Sequence, residues 1–353
     1  MATKLKRMTS TTRSSFITYG MVIVAYVVIE AMISGGLLTS SLKGLLVPIC
    51  AYVIMAVSLN LTVGIMGELS LGHAGFMSVG AFTAVIAAAA LENTVASGPV
   101  RLALSMAVGG VAAGLVSLIV VVPVLRLQGD YLAIVTLAFG EIIKNIINCV
   151  YVGLDGAGIH ISMKDAASLG MSSDGKMLLQ GPMGAVGIQK LSSLTAGFLL
   201  IMLTLAVTLN FIHSRAGRAV MALRDNRIAA ESVGISPSRY KMMAFVTSAV
   251  LAGLAGGLYA MNFSSILAKK FDFNTSILIL VFVVLGGMSN VRGSVIAAAA
   301  LTVLPELLRQ FADYRMLVYA IVLILVMLFT NNPACKAFFA RFKFVSTTGK
   351  EAV

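Results

Sequence analysis

The densest charge in this chain lies in residues 213–241, HSRAGRAVMALRDNRIAAESVGISPSRYK. Six cations, Arg215, Arg218, Arg224, Arg227, Arg239 and Lys241, stand there against two acids, Asp225 and Glu231. Guanidinium and ammonium groups at this spacing do no covalent chemistry; they hold a segment on one side of a membrane or grip a partner. A solvated charged face accounts for the charge alone. Within the segment Gly234 offers a helix stop, and Ser236 followed by Pro237 offers an N-cap and a first-turn proline. The segment is therefore read as one or two short helices.

Two more groups carry polar side chains inside apolar surroundings. The first is NLTVGIMGELSLGHAGFMSVGAF, residues 60–82, where Asn60, Glu68, Ser70 and His73 sit among Gly64, Gly67, Gly72, Gly75 and Gly80. Glycines at this density permit close backbone approach and a broken helix, which lipid tolerates only where protein or a cavity surrounds it. His73 has no His, Asp or Cys cluster near it in sequence. It either hydrogen-bonds a neighbouring helix or, with Ser70, lines a path. The second group is Glu141, Lys144, Asn145 and Asn148, one helical face at i, i+3, i+4 and i+7. Charges facing lipid cost roughly 3 kcal/mol each at mid-membrane, so this stripe faces protein or water. An internal Glu141–Lys144 pair, a place in a path and a subunit contact all remain open.

The elements that position these groups follow from composition. Of 353 residues, 59% are hydrophobic and 11% charged, against roughly 25% charged in soluble domains. The chain reads as an all-α, polytopic transmembrane helical bundle of about ten spans with glycine-rich broken helices, in one domain. Long apolar runs exclude an alternating transmembrane barrel. The net charge of +12 sits in loops and tails without an aromatic platform, so nucleic acid is not an expected partner and membrane orientation explains the charge. Cys50, Cys149 and Cys335 are scattered, with no metal-ligand spacing. No cofactor or metal is expected, and MATKLKRMTSTTRSS precedes the first apolar run without a small-residue cleavage site.

The spans are predicted at 16–34, 45–63, 75–90, 102–125, 133–152, 194–212, 242–262, 276–286, 294–308 and 316–330. Residues 1–15 and 332–353 become cytoplasmic tails, 153–193 an outer loop rich in glycine with no readable fold, and 213–241 a cytoplasmic loop. Six crossings from an inside amino terminus return the chain inside at His213, where the charge demands it. This topology puts sixteen Lys and Arg inside and nine outside.

The order of residues adds a resemblance. GRA, then ALRDNRIAAESVGIS, then YKMMAFVTSAVLAGLAGGLYA resembles the permease subunit of branched-chain amino-acid ABC importers, the LivM type, over about fifty consecutive residues. Residues 60–74 resemble the same family's N-L-x-x-G stretch followed by Q-L-S-L-G-H-A, with Glu68 where glutamine is common. LGGMSNVRG and LPELLR, around Gly287, resemble a further family stretch. VGLDGAGIHI departs from the family's T-G-G-x-x-G element, and FTNNPACKAF from its usual ending.

The resemblance implies that residues 213–241 couple to an ATPase, through Arg218, Arg224, Asp225, Asn226, Ala229, Ala230, Glu231 and Gly234, with Arg224 and Glu231 at the docking surface. It assigns a translocation path to Asn60, Gly67, Glu68, Ser70, Gly72, His73, Glu141, Asn145 and Gly287. It further implies a second homologous permease, two cytoplasmic ATP-binding subunits, an external solute-binding protein and surrounding membrane lipid as partners. The place is a bacterial plasma (inner) membrane, multi-pass, with both termini cytoplasmic, and the mechanism is alternating access. No GxxxxGK[ST], HExxH or GxSxG exists, so the chain is not expected to be an enzyme. Branched-chain amino acids are the expected cargo. Urea or short-chain amides in the same family, and a gradient-driven carrier using Glu68 or Glu141 as an ion site, are the alternatives.

Overall fold

In lipid every backbone N–H and C=O must find its partner within the chain, so apolar runs of this length become helices. The computed structural model describes residues 10–36, 39–124, 129–156, 158–171 and 175–308, with Leu317, Ala320, Ile321 and Ile324 beyond them. The chain divides into a first unit, Met1–Ala299, and a second, Ala300–Val353.

The first unit holds the helices α1 (Ser10–Ser34), α2 (Ser40–Asn60), α3 (His73–Ala90), α4 (Gly98–Val124), α5 (Asp130–Cys149), α6 (Leu194–His213), α7 (Arg215–Asp225), α8 (Arg227–Ser232), α9 (Pro237–Ala260) and α10 (Phe273–Gly286), and most of α11 (Val291–Leu307). Seven helices among the described residues are long and apolar enough to cross a membrane: α1 to α6, α2 being continued to Met66, and α9. The apolar α10 has only 14 residues. The described part of the second unit is the end of α11 and the four isolated positions. The predicted tenth span at 316–330 and the tail at 332–353 lie outside the described residues, apart from those positions.

Several boundaries differ from the sequence reading, and α9 begins at Pro237, within the stretch read as a cytoplasmic loop. Helix α1 begins at Ser10, inside the stretch read as a tail. The fifth span stops at Cys149, because Val150 turns extended and strand β1 (Tyr151–Asp155) follows at once. The 153–193 region, whose fold the sequence left unread, carries β1, β2 (Gly158–Ser162), β3 (Lys176–Gln180) and β4 (Ala185–Val186). With β5 (Ser265–Ile266) they form an antiparallel sheet in the order β2-β1-β3-β4-β5. The β4–β5 pair ties the segment after α9 to the segment before α6.

The core sits where α3, α4 and α9 meet, and small residues allow it. A Cβ on Gly80 would stand 2.2 Å from the Gly253 carbonyl oxygen, one on Gly109 2.6 Å from the Gly80 oxygen, and one on Gly256 2.0 Å from the Met77 oxygen. Backbones in contact gain dispersion energy that apolar side chains cannot supply against lipid. Helix α1 has little buried surface, with about 11% of its span inside the first unit.

Candidate functional site

Helix α2 does not stop at Asn60. It passes into a π-helical turn, Leu61–Met66, and closes at Gly67, whose φ of +77° only glycine adopts freely. The chain then runs without helix to Gly72, the N-cap of α3. This break is held by side chains from distant elements. Asn60 is fully buried; its Nδ2 donates to Ser294 Oγ at 2.8 Å, and its Oδ1 accepts from the Ser289 amide at 3.0 Å. Ser289 adopts φ +67°, a left-handed conformation costly for a residue with a Cβ. It is held there by that bond and by its hydroxyl, which donates to the Gly64 carbonyl at 2.5 Å. Gly287, at φ +90°, opens the same turn between α10 and α11.

The charged segment supplies the third wall. Ser214 caps α7 by accepting from the Gly217 amide at 3.1 Å, and Asn226 caps α8 by accepting from the Ala229 amide at 3.0 Å. Val220, Leu223 and Ala230 are buried; α7 packs against α6, α9 and the π-helical turn, and α8 packs against α7. Arg224 follows Leu223; it is partly exposed, with 33% of its side chain accessible, but its guanidinium reaches back to the break. Its Nη1 donates to the Gly64 carbonyl at 2.9 Å and to Ser289 Oγ at 3.1 Å, and its Nε and Nη2 donate to Asp225 Oδ1. A Cβ on Gly67 would lie 2.5 Å from Arg224 Cγ, so the missing side chain makes room for the arginine stem.

Glu68 forms an ion pair with Lys241, the fifth residue of α9; the two side chains are 15% and 14% exposed. The second carboxylate oxygen of Glu68 is buried and lacks a hydrogen-bond partner, and so does the buried Ser70 hydroxyl. His73 is buried between helices with Nε2 2.8 Å from Ser58 Oγ. Ser248 of α9 donates to the Ser58 carbonyl at 2.5 Å and lies 3.3 Å from Thr62 Oγ1, so α2, α3 and α9 share one polar seam. Gly72 lies against α5, where a Cβ would stand 2.0 Å from the Thr136 carbonyl oxygen.

The structure thus gathers Asn60, Gly67, Glu68, Ser70, Gly72, His73 and Gly287 around one break, with Arg224 closing it. Glu141 and Asn145 stand apart on α5. Glu141 pairs with Lys144 within the helix, at 33% and 18% exposure, and Asn145 is exposed. Arg218 is exposed and donates to the His213 carbonyl at 3.0 Å. Arg227 pairs with Glu231 at 2.7 Å on the outer side of α8, and Gly234 ends that helix at φ +85°. Asp225 and Ala229 are exposed.

Among the described residues no group of three or more His, Cys, Asp and Glu is placed to hold a metal ion. What this arrangement can do is mechanical. It links a helical arm to a broken membrane helix through the hydrogen bonds of Arg224 to Gly64 and Ser289.

Residues 41–327, taking in the break, the arm and the α10–α11 turn, match the family model described as "Branched-chain amino acid transport system / permease component". The chain belongs to this permease family. It is 34% identical over 290 residues to the high-affinity branched-chain amino acid transport system permease protein LivM of Escherichia coli, covering 78% of this chain and 66% of that one. LivM of Salmonella typhimurium gives 33% over 287 residues, with the same shares. LivH of Salmonella typhimurium gives 30% over 126 residues, 35% of this chain and 41% of that one. The chain thus spans just under two thirds of the length of the LivM proteins that it matches. No solved structure gives a significant match.

Reading the sequence as a member of this permease family missed Ser289 and Ser294, which clasp the break, and the exposed apolar pair Ile228 and Val233, at 83% and 75% exposure on and just after α8. The signal for the pair was available: Ile228 and Val233 stand among the charged residues Arg227 and Glu231. Ser289 gave no such signal, because its partners are distant in sequence: Asn60 and Gly64 lie more than 200 residues away and Arg224 lies 65.

Proposed function

We propose that this chain is the membrane-spanning permease subunit of an ATP-driven importer for branched-chain amino acids, working by alternating access coupled to separate ATPase subunits. The observation that carries this reading is the two-sided arm: α7 and α8 offer Ile228, Val233 and the Arg227–Glu231 pair to the outside, while Arg224 from the same arm grips the break. An exposed apolar pair rimmed by charge suits a cleft on a cytoplasmic motor subunit. Family membership supports the cargo and the ATP-driven class, and similarity to both LivM and LivH supports a second, related permease as partner. An external solute-binding protein delivers the substrate, and the bacterial inner membrane is the location, with both termini cytoplasmic.

The α5 stripe of Glu141, Lys144 and Asn145 faces the second permease or the path between the two, since lipid would tolerate it poorly. Against a gradient-driven carrier stands the pairing of both candidate ion-site carboxylates, Glu68 with Lys241 and Glu141 with Lys144.

The test is transport by the permease pair and its ATPases in proteoliposomes, with binding protein and labelled leucine outside. Uptake that needs ATP within and survives collapse of ion gradients is the expected result. Uptake by this chain alone, driven by a gradient without ATPase, overturns the reading.

A further inference from the structure

The arm carries two kinds of side chain that sequence order could not separate: those that meet a partner and those that meet the membrane helices. Arg224 is of the second kind. Its stem fills the space left by the missing side chain of Gly67, and its guanidinium reaches the Gly64 carbonyl and Ser289 Oγ at once. Carbonyls at a helix end lack intrahelical donors, and the Gly64 carbonyl is served here by two donors from other elements, Arg224 and Ser289. Ser289 in turn bonds Asn60 through its amide. One guanidinium therefore joins the arm, the break at the end of α2 and the α10–α11 turn, three elements far apart in sequence.

We propose that Arg224 is a positioning residue for transport: its bonds to Gly64 and Ser289 form a clasp through which movement of α7 and α8 sets the conformation of the break. This rests on the arm being the ATPase-coupled segment, as proposed above. The clasp has the geometry of a two-position element. Its acceptor is a backbone carbonyl at a π-helical turn, its second partner sits in a left-handed backbone, and Asp225, bonded to the same guanidinium, offers the charge to hold Arg224 when the clasp opens. Strain at Ser289 favours release once the hydrogen bonds that compensate it are lost.

The experiment uses the whole complex in proteoliposomes and reads three quantities for each variant: ATPase subunits copurified, ATP hydrolysed, and substrate taken up per ATP. Arg224→Gln keeps the ATPase subunits bound and lowers uptake per ATP about tenfold, the order expected for loss of charge-assisted bonds. Ser289→Ala removes the second partner without altering the arm, and it lowers the same ratio by about threefold. Uptake per ATP unchanged in both variants overturns the clasp, as does loss of ATPase copurification in Arg224→Gln, which would move this residue to the docking surface. If the permease carrying Arg224→Gln does not fold at all, as judged by its size-exclusion profile, Ser289→Ala alone decides by the same ratio. Ile228→Asp with Val233→Asp reports on the underlying reading instead. If ATPase copurification survives that pair of changes, the arm does not dock as proposed, whatever Arg224 does.

Discussion

Arg224 and Glu68 illustrate how much a single side chain reveals about its role once its partners are known. Glu68 was legible as a charge beside a candidate path and Arg224 as one on a docking surface, yet neither partner was: Lys241 lies 173 positions from Glu68 and Gly64 lies 160 from Arg224. Spacing along one helix predicts i, i+3 and i, i+4 neighbours, which is why the Glu141–Lys144 pair was readable and these were not. The Glu68–Lys241 pair is partly desolvated, so removing one member leaves an uncompensated charge. Glu68→Gln is expected to destabilise the folded permease by about 1–3 kcal/mol, with Glu68→Gln combined with Lys241→Gln recovering much of the loss. Thermal unfolding of the single and double variants in detergent measures the coupling, and strictly additive losses would deny the pair any such role. Gly64→Ala would set a Cβ 1.9 Å from Asn60 Oδ1 and 2.4 Å from the Ser289 amide. It is expected to cost about 2 kcal/mol or more and to lower the same unfolding midpoint.

At the level of elements, helices were readable and strands were not. Apolar runs of about twenty residues announce spans by length alone. The glycine-dense run 60–82 announced a break, which the structure realises as a π-helical turn followed by Gly67 and an irregular stretch to Gly72. The sheet beside α5 escaped because its strands have at most five residues, are interrupted by glycine, and close through β5, about eighty positions downstream of β4. Glycines in α3, α4 and α9 signalled close packing without saying which helices met. Gly253→Val is expected to abolish the folded permease, since even a Cβ there would stand 2.5 Å from the Ala113 side chain and 2.9 Å from the Gly109 oxygen. Gly20→Val on α1, where nothing lies within 4 Å, is expected to leave it intact. Size-exclusion profiles of the two proteins make the comparison, and equal profiles would remove the packing argument. On α5, Glu141→Gln leaves Lys144 unpaired and is expected to reduce uptake several-fold while insertion is retained, since the loss of one charge-assisted bond is worth about 1.5–3 kcal/mol. Unchanged uptake would make the stripe a spectator.

Across the whole of the first unit, contacts sort the connections to two ends. Gln189 bonds both Arg101 and Glu92, and β4 pairs with β5, so the segments before α4, before α6 and after α9 share one end. The break after α2, the arm after α6 and the turn after α10 share the other, joined by Arg224 and Ser289. Every element of the proposed coupling device therefore lies at one end of the first unit. Which side that is decides the account. Ser232 at the end of α8 is exposed, and in a background with Cys50, Cys149 and Cys335 replaced, Ser232→Cys can be challenged with a membrane-impermeant thiol reagent. The proposed importer predicts no labelling in intact cells, labelling in inside-out vesicles, and protection there when the ATPase subunits are bound. Labelling in intact cells would contradict it.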